Sequence, residues 1–216
     1  MLSRLAIATF LAATVSAALG GNPDHLRSGE EKLTEKWDVD YHRAVRTILG
    51  RGWRPDIVVR TLDLTAGPPE WVSGIARTPA GYRAFEVIAS TQIWSELSYT
   101  PNGQMAIKHD YRGIRPILHE RPLSDALSAR IAALWRRVLA DRKNYGEETQ
   151  IYIDTDVFTF DLMFASNERL TAHTTGWGPH TQQLILVARI LASYAKGAPE
   201  SELLKAVSRA ESKLRI

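Results

Sequence analysis

Residues 71–90 read WVSGIARTPAGYRAFEVIAS, two runs rich in β-branched and aromatic residues around a single reversal. Trp71 to Arg77 and Tyr82 to Ser90 flank Thr78-Pro79-Ala80-Gly81. A short connection bearing proline and glycine between two such runs predicts a β-hairpin, because these residues supply the backbone angles of a tight turn. Strands joined in this way are antiparallel.

The same texture extends in both directions. Upstream, Asp56 to Thr65 alternates, with Ile57, Val59, Thr61 and Asp63 on one side and Val58, Arg60, Leu62 and Leu64 on the other. This is a strand signal, stopped by Gly67-Pro68-Pro69, since proline cannot donate to a ladder and restricts the residue before it. Downstream, runs at Gln92 to Thr100 and Gln104 to Tyr111 flank Pro101-Asn102-Gly103, and Asn-Gly is a strong hairpin turn. Gly113, Pro116 and Pro122 punctuate residues 112–121, which read as a loop. Ile151 to Phe164 reads as one or two strands, and Leu170 to Thr175 pairs with it across Ala165-Ser166-Asn167-Glu168.

Helical spacing occupies the remainder. Ser28 followed by Glu31 has capping-box spacing, so a helix is predicted from there, with Leu33, Trp37, Tyr41, Val45 and Ile48 or Leu49 on one face and Gly50 and Gly52 ending it. Pro122 suits the first turn of a second helix running to about Lys143, with Leu123, Leu127, Ile131, Leu134, Trp135 and Val138 buried. Trp37 and Trp135 are expected in the core. After Gly176-Trp177-Gly178-Pro179, a third helix capped by Thr181 carries Leu184, Val187, Ala188, Leu191 and Ala195 and ends at Gly197. Pro199 opens a fourth with Leu203, Leu204, Val207 and Leu214. The regular strand-helix alternation of a parallel sheet is missing. The expectation is an α+β domain: a mainly antiparallel sheet of about five to seven strands packed against three or four helices, closing in an αα-hairpin.

The first twenty residues carry an address. Arg4 precedes the uncharged run Leu5 to Leu19, and Val15-Ser16-Ala17 offers small residues to a signal peptidase. Residues 1–18 are read as a signal peptide, 19–27, with Gly20, Gly21, Asn22 and Pro23, as a tether, and 28–216 as one domain. No later stretch approaches the roughly 20 apolar residues of a membrane helix, so no anchor is expected after cleavage. The chain has no cysteine, which excludes disulfides, thiolate nucleophiles and sulfur-ligated metals. Export without disulfides at this size points to a bacterial periplasm or to secretion. Of 27 basic residues Arg4 leaves with the signal, and 26 against 24 acidic ones, interspersed throughout, do not form the basic stripe of a nucleic-acid binder.

The chemistry-bearing residues form no established motif. His-Glu-x-x-His, Gly-x-Ser-x-Gly, Ser-x-x-Lys and the phosphate-binding Gly-x-x-x-x-Gly-Lys are all missing. Asp154, Asp156, Asp161, His173 and His180 fall within one stretch, where two imidazoles with carboxylates suit a zinc-like ion or an acid-base pair. His119-Glu120 beside His109-Asp110 is a second group without a nucleophile at fixed spacing. Pro69-Glu70-Trp71 and Gly176-Trp177-Gly178-Pro179-His180 each place a tryptophan beside turn residues, where aromatic anchors serve as binding hot spots or plug a core. The leading expectation is therefore an exported, non-catalytic binding or accessory protein, of immunity or inhibitor type. Its binding residues would be Glu70, Trp71, Trp177 and His180, its partner another protein or a cell-envelope component, and no cofactor is expected. The alternative is a small periplasmic metal-dependent or acid-base hydrolase using His173, His180, Asp154 and Asp156.

Overall fold

The computed structural model of the chain describes residues 26–29, 36–64, 67–99, 101–102, 105–107, 111–142, 157–164, 168–174 and 178–215. Its strands are β1 (Arg27–Ser28), β2 (Ile57–Leu64), β3 (Trp71–Thr78), β4 (Gly81–Ala89), β5 (Leu97–Tyr99), β6 (Met105–Ile107), β7 (Pro116–Leu123), β8 (Val157–Met163) and β9 (Arg169–Thr174). Its helices are α1 (Lys36–Ile48), α2 (Asp125–Ala140), α3 (Pro179–Ala195) and α4 (Glu200–Leu214). Seven strands form one sheet in the order β1-β9-β8-β2-β3-β4-β7, every neighbour antiparallel, and β5 and β6 form a separate hairpin. The fold is α+β, as the hairpin-linked strands imply.

Both faces of the sheet are covered. On one, Val59, Ile75, Ala84, Phe158, Phe160 and Ala172 pack against α2, α3 and α4 through Leu127, Ile131, Leu134, Leu184, Leu191 and Leu203. On the other, Leu62, Val72, Ala76, Phe85 and Val87 meet Tyr41, Ala44, Val45 and Ile48 of α1. Burial on both sides explains why Trp71 to Ala76 contains no exposed residue at all. α3 and α4 form the closing αα-hairpin, turned by Gly197 at φ +114°, a left-handed conformation that suits a residue without Cβ. Buried polar groups fix α3 on the first face: Ser73 Oγ donates to the Ala188 carbonyl at 3.1 Å, Asp63 faces Arg189 at 3.5 Å and Glu86 faces Lys196 at 3.0 Å.

Several sequence expectations are corrected. Ser28 does not cap a helix: it pairs with Ala172 in the short edge strand β1, and Gly29 follows it at φ +86°, outside helical backbone, while α1 spans Lys36–Ile48. Leu26 is buried in the first core and Arg27 lies in β1, so neither belongs to the expected tether, whose residues 19–25 lie outside the described residues. Residues 116–121 are not a loop but most of β7, whose prolines are tolerated because it is the edge of the sheet. Pro122 therefore belongs to a strand, and Ser124 caps α2 by accepting from the Leu127 N–H at 3.3 Å. Thr181 sits at the third position of α3, where Gly178 is the cap and donates its N–H to the threonine hydroxyl at 3.0 Å. A bulge between Ile57 and Val59 moves Ile57 to the α1 side with Leu62 and Leu64. The signal region, the Trp37 side chain, Asp154, Asp156, Trp177, His109 and Asp110 lie outside the described residues.

That bulge leaves no room above Gly74. A Cβ there would lie 2.1 Å from the Val59 carbonyl oxygen and 2.9 Å from the Phe85 ring. Gly74→Ala is expected to push β2 from β3 and cost about 3 kcal/mol, the upper end of core overpacking. Thermal melting checks it, and a variant as stable as the wild type would show that the two strands have slack.

Candidate functional site

The polar side chains that the sequence offers as chemistry are largely committed inside the fold. On the α1 face of the sheet, Asp161 is buried between two arginines. Arg60 Nε donates to Oδ2 at 2.7 Å, Arg169 Nε donates to Oδ1 at 2.6 Å, and the Thr171 hydroxyl donates to Oδ1 at 2.7 Å. The Arg60 guanidinium also donates to the Gly52 carbonyl at 3.2 Å and lies 4.7 Å above the Trp53 ring. A carboxylate whose oxygens are already taken by this many charge-assisted donors is a strut.

Glu70 is likewise internal. Its side chain, fully buried, accepts the Tyr41 hydroxyl at 2.9 Å, the Ile93 N–H at 2.6 Å and the Trp94 N–H at 2.7 Å. Burial first, and then the neighbouring Glu70 carboxylate, push the Tyr41 phenol far up, so it stays a donor. Trp71 packs in the first core at 8 % exposure. Both side chains are buried, although Gly67 and Pro68 of the preceding turn are exposed.

His173 lies on β9 with Thr159 opposite it, on the face away from α3, whereas His180 is half-buried in the first turn of α3. The two histidines thus sit on different elements, one on a strand and one on a helix. Among the described residues no group of three or more His, Asp or Glu is placed to hold a metal ion. His173 Nδ1 instead meets the Gly29 carbonyl at 2.9 Å, and the Gly29 N–H donates to the Thr171 carbonyl at 2.9 Å, so the ring helps fasten β1 to β9.

Burial holds the His173 pKa below its ordinary value, aided by Arg27 and opposed by the Gly29 contact. The folded state therefore favours the neutral ring. Its contribution is present above the unfolded value near 6.5 and is lost as the pH falls below that toward the folded pKa, with a limiting slope of about 1.4 kcal/mol per pH unit. Melts between pH 8 and pH 5 should show a steeper acid loss for the wild type than for His173→Gln, which keeps a donor but cannot titrate. Parallel curves would refute the assignment.

The outer edge of β7 is built differently. The Ala89 N–H donates to the Glu70 carbonyl at 3.0 Å, toward β3, so the Ala89–Pro116 pair does not exchange bonds across the β4–β7 ladder. The alternation of an antiparallel pair then directs the backbone groups of Pro116, Leu118, Glu120 and Pro122 away from β4. The two prolines have no N–H, and the Pro122 carbonyl accepts the Tyr194 hydroxyl at 2.7 Å. Leu118 and Glu120 are left as the donors along this edge.

The side chains of the edge divide by face. The Glu120 carboxylate accepts from Arg54 at 3.0 Å and has Arg83 at 3.6 Å, so it is already matched by two cations. On the helix side run Ile117, 45 % exposed, then His119 and Arg121, with the exposed Arg115 just before the strand. Arg121 donates to the Ala198 carbonyl at 2.6 Å and stacks 4.3 Å from the Tyr194 ring.

No family model, curated protein or solved structure matches the chain. Sequence reading missed the β7 edge because Pro116 and Pro122 register as breakers; that they share one parity with Leu118 was the available signal of an edge strand.

Proposed function

We propose that the chain is an exported, non-catalytic binding protein that holds another protein of the bacterial cell envelope, as accessory or immunity-type proteins do. One observation carries the reading. The sheet ends on one side in a two-residue strand, β1, but on the other in the eight-residue β7, with Ile117 exposed and no further strand beside it among the described residues. A long sheet edge is a ready template for an extended segment of another chain. The commitment of Asp161, Glu70, Glu86 and Asp63 to internal partners agrees with a role in which they stabilise and do not react. The basic start, apolar run and small-residue exit of the first twenty residues support an envelope compartment. Among the described residues no helix is long and apolar enough to cross a membrane.

The test is to express the chain with its own N-terminus in a Gram-negative host, fractionate, cross-link, and assay partner and metal on one sample. A periplasmic product shortened by 17 or 18 residues, bound stoichiometrically to one protein, is the expected result. An uncleaved cytoplasmic product would overturn export. Tightly bound zinc without a protein partner would overturn binding and favour the hydrolase reading through His173, His180, Asp154 and Asp156.

A further inference from the structure

Resting on that binding reading, we infer that the outer edge of β7 takes an extended, acidic segment of the partner as an added strand over Leu118 to Glu120. Three features converge on this occupant. The backbone fixes where it pairs, because Pro116 and Pro122 lack an N–H and leave the Leu118 and Glu120 amides as the outward donors of the edge. Charge fixes its sign. The carboxylates nearest the edge are already matched, Glu120 by Arg54 and Arg83 and Glu86 by Lys196, whereas among the described residues neither the exposed Arg115 nor Arg121, which rests on the Ala198 carbonyl and the Tyr194 ring, makes an ion pair within 4 Å. The row of side chains fixes its pattern: Arg115, Ile117, His119 and Arg121 lie on one face and Leu118 on the other, so an alternating strand laid beside them sets its acidic side chains along the arginine-bearing row and its apolar ones on the Leu118 face. The same basic row repels a second copy of the edge, since self-pairing sets like charges together.

The experiment uses the mature chain and a fluorescein-labelled alternating Glu-Val octapeptide, with an alternating Lys-Val octapeptide as control. Anisotropy is expected to show binding of the acidic peptide alone, and hydrogen exchange to slow at the Leu118 and Glu120 amides. Leu118→Pro removes one outward donor without touching the β4 ladder, and Arg115→Glu reverses an exposed charge; each is expected to weaken binding by about tenfold or more. Arg115→Glu keeps the test decisive if Leu118→Pro disturbs folding. Equal binding of both peptides, or slowed exchange elsewhere, overturns the inference. Capture of the same periplasmic protein by the wild type and both variants overturns the edge but leaves the binding reading standing. A wild type that holds neither protein nor peptide overturns both.

Discussion

Asp161→Asn is expected to destabilise the fold by about 4 kcal/mol and to lower its Tm by about 10 °C. Both oxygens of this carboxylate accept from guanidinium groups, and Arg60 is itself 5 % exposed. The amide keeps one acceptor but turns an N–H₂ toward donors, and it leaves a buried cation without its counter-charge. Loss of one partner from a buried pair is costly for that reason, whereas replacing both by apolar groups of similar volume is often close to neutral. The combined variant Arg60→Met with Asp161→Leu is therefore expected to regain most of the loss. Arg169, about a third exposed, retains water when Asp161 changes and contributes less. Melting of the single and double variants checks the argument. A double variant no more stable than Asp161→Asn would show that packing beneath Trp53, and not the orphaned charge, carries the cost.

The Arg60–Asp161 pair also shows why the sequence could not announce it. The two residues are 101 positions apart; Arg60 was legible only as a polar position in an alternating strand, and Asp161 as one of a stretch of candidate site residues. What is periodic within one element was readable: the two arms of the β3–β4 hairpin, the apolar face of α2, and the closing hairpin of α3 and α4 all follow from local spacing. What depends on a distant partner was not. Ser28 and Glu31 have the spacing of a cap, yet Ser28 pairs with Ala172, because β9 offers a ladder that the local signal does not include. Asp161 and His173 sit close in sequence like site residues, but the sheet commits one to arginines and the other to a backbone carbonyl. The edge strand failed for the opposite reason. Its prolines argue against a central strand, and that argument is correct; only its place at the end of the sheet makes them compatible with β7.

Glu70→Ala is expected to cost about as much as the loss of Asp161, near 4 kcal/mol, and to act on a different part of the molecule. Three donors converge on this buried carboxylate, the Tyr41 hydroxyl, the Ile93 N–H and the Trp94 N–H, and each left without a partner carries a penalty of about 1–3 kcal/mol. The three come from α1 and from the turn that leads into β5, so Glu70 fastens both to the entry of β3. Tyr41 further meets the Trp94 ring edge-on at a centroid distance of 5.1 Å, which couples the same elements a second time. Tyr41→Phe removes one hydrogen bond, keeps the ring contact and leaves the two backbone donors satisfied, so it should cost about 1 kcal/mol. Hydrogen exchange separates a local from a global effect: in Glu70→Ala the amides of Ile93 and Trp94 should open far below the free energy of unfolding, while those of β2 and β3 remain tied to it. If Glu70→Ala and Tyr41→Phe melt alike, the backbone donors have found water, and Glu70 is a partner of Tyr41 alone.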